Sequence, residues 1–175
     1  LEYLISLIPE KNFLTLDFFS GSGSTAQAVM ELNSKDNGKR KFISIQLPEK
    51  LSHDNPSQKA AIEFVEKQGH PTTLDFIGYE RIKRAASKIK SEHPGKELDL
   101  GFKHYTLEEP NPQTLDKLET FDPHALIMDS SILKDFGKPT ILTTWLNADG
   151  YGLTVKPDVI DLDGYEAYYI QKHLY

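Results

Sequence analysis

Nine consecutive residues, Asp17-Phe18-Phe19-Ser20-Gly21-Ser22-Gly23-Ser24-Thr25, hold the side chains best suited to chemistry. A carboxylate stands at one end, and hydroxyls alternate with glycines at the other. Glycine lets backbone approach a ligand closely and adopt positive φ. A helix opening directly after such a turn offers unpaired N–H groups and a positive dipole end, which suits an anionic group. These residues describe a nucleotide-type site made of backbone rather than of a nucleophile. No metal site is expected: the chain has no cysteine, and none of its six histidines shows ligand spacing.

A strand and a helix must present such a loop. Residues 13–17 form a near-continuous apolar run, typical of a buried parallel strand. Residues 25–32 read as a helix with Ala26 and Val29-Met30 on its face, and 33–38 as a polar turn. Residues 41–47 read as a second strand, which Pro48 stops. Strand, helix and strand make a βαβ unit, right-handed by default, and open α/β sheets bind nucleotides at the carboxyl end of such strands.

Downstream, Pro56-Ser57 opens a helix running to Lys67, which Gly69-His70-Pro71 breaks. After a short apolar segment, 73–77, a strong helix is predicted over 80–90. Ile82, Ala85-Ala86 and Ile89 face inward there, with Arg81, Lys83, Arg84, Lys88 and Lys90 outside. Those five cations read first as a solvated face, and they are the only basic cluster available to a phosphate. Pro94-Gly95 is the candidate domain boundary. Beyond it, 98–107 reads as a strand, 115–118, 125–133 and 139–146 as helices, and 158–162 with 166–170 as a hairpin closed by Asp163-Gly164.

The 175 residues carry 20 basic and 26 acidic side chains, a net charge of −6, so the whole chain is no basic nucleic-acid clamp. The charge is uneven. Residues 1–95 hold 13 basic and 12 acidic side chains, whereas 96–175 hold 7 and 14 and no arginine. Any phosphate contact therefore belongs to the first half. The absence of cysteine fits a reducing cytoplasm, and no signal peptide or membrane-length apolar run is visible. Leu1-Glu2-Tyr3-Leu4-Ile5-Ser6-Leu7-Ile8 reads as an amphipathic helix already under way, and the chain stops at Tyr175 in apolar sequence. Both ends suggest a piece of a longer protein.

Several nucleotide-site motifs fail against the loop. Gly21-x-Gly23-x-x-Ala26 satisfies a dinucleotide fingerprint, but the acid expected at the end of the second strand is replaced by Gln46. No lysine follows the glycines as a Walker loop requires, and the register is wrong for a nucleophile elbow. The string Asp17 to Thr25 instead resembles the Asp-Pro-Phe-x-Gly-Ser-Gly-Thr-Thr motif of amino-methylating DNA methyltransferases. Phe18 replaces the proline and Ser24 the first threonine. Arg40-Lys41-Phe42-Ile43-Ser44-Ile45-Gln46-Leu47-Pro48-Glu49, Tyr79-Glu80-Arg81-Ile82-Lys83-Arg84-Ala85-Ala86 and Asp163-Gly164-Tyr165-Glu166-Ala167-Tyr168 are similar to segments of the modification subunits of type III restriction systems.

The resemblance implies an α/β fold: a partial Rossmann-like methyltransferase sheet with flanking helices over 1–94, and a small acidic α+β appendage over 95–175, an assembly module. It implies S-adenosylmethionine as cofactor, with Asp17 near its amino group, Phe19 walling the pocket, and Gly21, Ser22 and Gly23 against its methionine end. Backbone donors of Ser24 and Thr25 would meet the carboxylate. Gln46 would accept a ribose hydroxyl in place of the usual acid, with Glu49 the nearest carboxylate downstream. Implied partners are DNA, a second copy of the subunit and a restriction (helicase–nuclease) subunit, with no membrane.

Methylation of an adenine amine in this family also needs an Asp/Asn-Pro-Pro-Tyr/Phe loop, and the sequence has none. Phe121-Asp122-Pro123-His124 comes nearest and reads as a helix start. The catalytic loop is therefore expected upstream, as in the circularly ordered class, and these residues alone are expected to be inactive. Two rival readings are a dinucleotide (NAD or FAD) oxidoreductase domain, which the missing ribose acid disfavours, and a non-enzymatic assembly domain.

Overall fold

A computed structural model describes residues 1–107 and 130–175, and the chain divides into two compact units, Leu1–His104 and Tyr105–Tyr175. The expected helix at 115–118 and most of that at 125–133 lie outside the described residues. Among the described residues no helix is long and apolar enough to cross a membrane. The content is mixed α/β, with two small sheets.

In the first unit a short helix, α1 (Glu2–Ser6), precedes β1 (Leu14–Asp17), α2 (Ser24–Asp36) and β2 (Lys41–Ser44). The strands pair in parallel from Leu14 opposite Lys41 to Asp17 opposite Ser44, which is the expected βαβ arrangement. Backbone bonding continues one step past β2: Ile45 N–H donates to Asp17 O (2.8 Å) and Ser20 N–H to Ile45 O (3.1 Å).

Helix α2 runs four residues beyond the expected end because the supposed turn supplies its own anchor. The Arg40 guanidinium, almost wholly buried, donates to both carboxylate oxygens of Asp36 (3.0 and 2.9 Å) and lies over the Phe13 ring at 5.6 Å. Asn33 accepts from Arg40 N–H, and Asn37 ends the helix at φ 56°. The guanidinium beside Asp36 holds that carboxyl below its ordinary range.

A short 3₁₀ turn (Pro56–Gln58) leads into α3 (Lys59–Lys67), and α4 (Leu74–Glu92) follows. Segment 73–77, set apart from the helix in sequence, is its first turn: Thr73 is extended and Asp75 lies near the positive end. Packing places Ala26 and Met30 of α2 against Ile82, Ala85 and Ile89 of α4. The other face of α2 buries Ala28 and Val29 against Ile5, Phe13 and Phe42. A third cluster joins Leu51, Ile62 and Val65.

No strand forms over 98–107; Leu98, Leu100 and Phe102 lie on the α2–α4 cluster. Their packing carries the first unit past Pro94-Gly95. The opposite face of the β1–β2 sheet is bare: Leu14, Leu16, Ile43, Ile45 and Leu47 are all exposed.

In the second unit α5 (Ser130–Ala148) breaks at Gly137 (φ 74°, ψ 155°), and Pro139 stands at the start of the resumed helix. Proline is tolerated there because the first-turn N–H groups have no intrahelical partner. Helix at 139–146 is thus as expected. The hairpin of β3 (Asp158–Leu162) and β4 (Tyr165–Ile170) also forms, with positive φ at both Asp163 and Gly164, and β5 (His173–Leu174) adds a third strand.

Candidate functional site: the glycine loop

The loop from Ser20 to Gly23 is stapled to both strands. Gly21 N–H donates to Gln46 Oε1 (2.7 Å), and Gly23 N–H donates to Ser20 O (2.8 Å). Thr25 Oγ1 donates to Asp17 Oδ2 (2.6 Å), tying the first turn of α2 to the end of β1, while Asp17 Oδ1 accepts from Phe19 N–H (3.3 Å). Both carboxylate oxygens of Asp17 therefore shape the loop.

Gly21 (φ 51°) and Gly23 (φ 73°) both adopt left-handed backbone, a conformation costly for other residues. Their surroundings differ. A Cβ on Gly21 would meet only Phe19 O, at 3.9 Å, so the loop is open above it. One on Gly23 would lie 3.0 Å from Gly78 O and 3.2 Å from Ile82 Cγ1. The first glycine leaves room for a ligand; the second leaves room for α4.

Gly23 caps α2 with no side chain, and the first turn of that helix has no acidic residue. An uncapped helix start suits a carboxylate or phosphate. Ser22 sits between the glycines and Ser24 opens α2. Phe19 projects beside them with 79% of its surface exposed, its ring 5.2 Å from that of Phe18. The expected residues Asp17, Phe19, Gly21, Ser22, Gly23, Ser24, Thr25 and Gln46 are thus one constellation. The Gln46 amide oxygen holds the loop, and its Nε2 donates to Leu47 O (3.2 Å).

Gly78 went unnoticed in the sequence. It lies inside α4, and a Cβ there would stand 3.0 Å from Gly21 O and 3.4 Å from Gly23 N. A glycine in the interior of a patterned helix costs about 1 kcal/mol against alanine, so it usually has a packing reason. That cost was the available signal.

Two residues on, Glu80 is buried and anchors the same helix. Lys83 Nζ donates to its Oε1 (2.9 Å), His70 Nε2 lies 3.0 Å from that oxygen, and Arg84 Nε stands 3.8 Å from Oε2. His70 in turn stacks on Phe76 at 4.7 Å. The Lys83 hydrogen bond, seconded by His70, holds the Glu80 carboxyl below its ordinary range against the opposing effect of burial.

Residues 1–91 match the family model described as DNA methylase. The chain belongs to the DNA methylase family. A second model, the C-terminal domain of the type III restriction-modification enzyme EcoP15I, matches residues 136–175. Among DNA methylase relatives, the chain is 37% identical over 196 residues to the StyLTI Mod subunit of Salmonella typhimurium strain LT2, covering 97% of this chain. It is 33% identical to the EcoP15I Mod subunit of Escherichia coli over 99% of the chain. The EcoPI Mod subunit of Escherichia phage P1 is 32% identical over 98%. All three are named as subunits of type III restriction-modification enzymes, and the chain spans 29%, 24% and 25% of their respective lengths. The family match thus covers the whole glycine loop and the helix braced against it.

Proposed function

We propose that this chain is the cofactor-binding part of a DNA adenine-N6 methyltransferase, the modification subunit of a type III restriction system. The observation that carries the reading is the loop itself: two left-handed glycines between a parallel strand and an uncapped helix, one open to a ligand and one closed by α4. S-adenosylmethionine, when bound, supplies a methyl group on a sulfonium sulfur. Its amino-acid end fits the donor set: the start of α2 for the carboxylate and Asp17, within reach of the same loop, for the ammonium. Phe19 shields the sulfonium side from water. Gln46 acts through Gly21, fixing the loop rather than holding the ribose.

The bare face of Leu14, Leu16, Ile43, Ile45 and Leu47 supports a sheet completed by further α/β elements of a longer chain. Those elements carry the Asp-Pro-Pro-Tyr-type loop, and a Rossmann-like sheet results. The 175 residues alone transfer no methyl group. The whole enzyme works on DNA as a homodimer with a restriction subunit; the match of residues 136–175 supports the type III assignment.

The full-length protein, given tritium-labelled S-adenosylmethionine and duplex DNA, is expected to place label on adenine N6. Gly21→Val, which places its side chain in the open space above the loop, is expected to lower the rate roughly 100-fold, about 3 kcal/mol, with the fold retained by circular dichroism. Label on cytosine, or an unaffected variant, would contradict the reading.

A further inference from the structure

Between α4, the first turn of α2 and α3 lies a groove of about 380 Å³, lined by Gln27, Phe64, Ile77, Arg81, Arg84 and Lys88 among others. No carboxylate lines it. Two of its cations are held in place by neutral groups. Arg81 Nη1 donates to Gln27 Oε1 (3.2 Å), and Gln27 is fixed from behind by its own donation to Glu31 (2.7 Å). The Arg84 guanidinium lies over the Phe64 ring at 4.4 Å. Aromatic stacking and an amide acceptor orient a guanidinium without cancelling its charge.

The nearby acids leave a positive balance. Glu80 approaches Arg84 at 3.8 Å but is shared with Lys83 and His70, and Glu92 pairs with Lys88 at 3.6 Å on an exposed surface. Arg40, by contrast, is buried on a bidentate carboxylate and does structural duty. Arg81, Arg84 and Lys88 stand three and four residues apart, one stripe along α4 about 10 Å long. Duplex DNA carries a phosphate per ~3.4 Å of helix axis on each strand, a dense line of anions for such a stripe to meet.

We infer that this groove seats the phosphate backbone of DNA. The inference rests on the methyltransferase reading, because Gln27 is on the first turn after the glycine loop and a duplex gripped there lies beside the methyl donor. An acidic protein segment would have no reason to be held beside that loop.

The test is fluorescence anisotropy of a labelled 30-base-pair duplex with full-length protein across a salt series. The double variant Arg81→Gln/Arg84→Gln is expected to bind at least about tenfold more weakly, with the slope of log K against log salt shallower by about 1.8. Arg81→Lys/Arg84→Lys, which keeps the charge, is expected to retain the slope. S-adenosylmethionine affinity, measured alongside, reads the loop separately and is expected to stay unchanged. An unchanged slope in the glutamine variant would overturn the inference, as would a poly-glutamate peptide that competes as well as DNA.

Discussion

Gly78→Val is expected to weaken S-adenosylmethionine binding by about tenfold or more, 1.4 kcal/mol of affinity or beyond, and to lower stability by roughly 1–3 kcal/mol. Helix propensity taken alone argues the opposite sign for the milder Gly78→Ala, a gain of about 1 kcal/mol. Tertiary packing decides against it. Even an alanine Cβ would stand 3.0 Å from Gly21 O and 3.5 Å from Ser22 C, so the loop backbone must move. That loop is held by Gln46 and by Ser20 O, and its left-handed glycines have little slack to shift without losing those bonds. Thermal unfolding and cofactor titration of the two variants check this together. A Gly78→Ala variant with higher Tm and undiminished affinity would show that α4 does not brace the loop.

Glu80→Gln is expected to cost about 1.5–3 kcal/mol near pH 7, the range for hydrogen bonds to charged groups. The carboxylate is buried and anchors Lys83 and His70, so an amide loses the charge that both partners attract. The pH dependence has a definite sign. Because the folded carboxyl titrates below its unfolded value, its contribution is fully present above the ordinary carboxylate pKa. It is lost as pH falls from there through the lowered folded value. Urea unfolding at a series of acid pH values is expected to show a shallower decline in Glu80→Gln than in the parent. Parallel curves would mean the buried charge contributes nothing to folding.

The loop and the hairpin were legible because each rests on local residues. Two glycines between an apolar run and a helix leave few alternatives, and Asp163-Gly164 carries its turn chemistry in two positions. Misreadings arose where a pattern reported burial without saying against what. Leu98, Leu100 and Phe102 alternate as a strand would, yet they cover a helix seam and form no strand. Segment 73–77 was set apart from the helix at 80–90, although α4 runs through both and Gly78 between them makes room for the loop. The bond from the Gly21 amide to Gln46 was not legible either, because only the fold brings the two within reach. The α4 cations are exposed, as the solvated-face reading expects; what spacing could not show is that Gln27 and Phe64, distant in sequence, orient two of them.

Calorimetric titration of full-length protein with S-adenosylmethionine, S-adenosylhomocysteine and NAD in parallel tests the central claim most directly. Binding of the two adenosyl sulfur compounds, no binding of NAD, and loss of both signals in Gly21→Val is the predicted result. NAD binding, or S-adenosylmethionine binding that survives Gly21→Val, would contradict it.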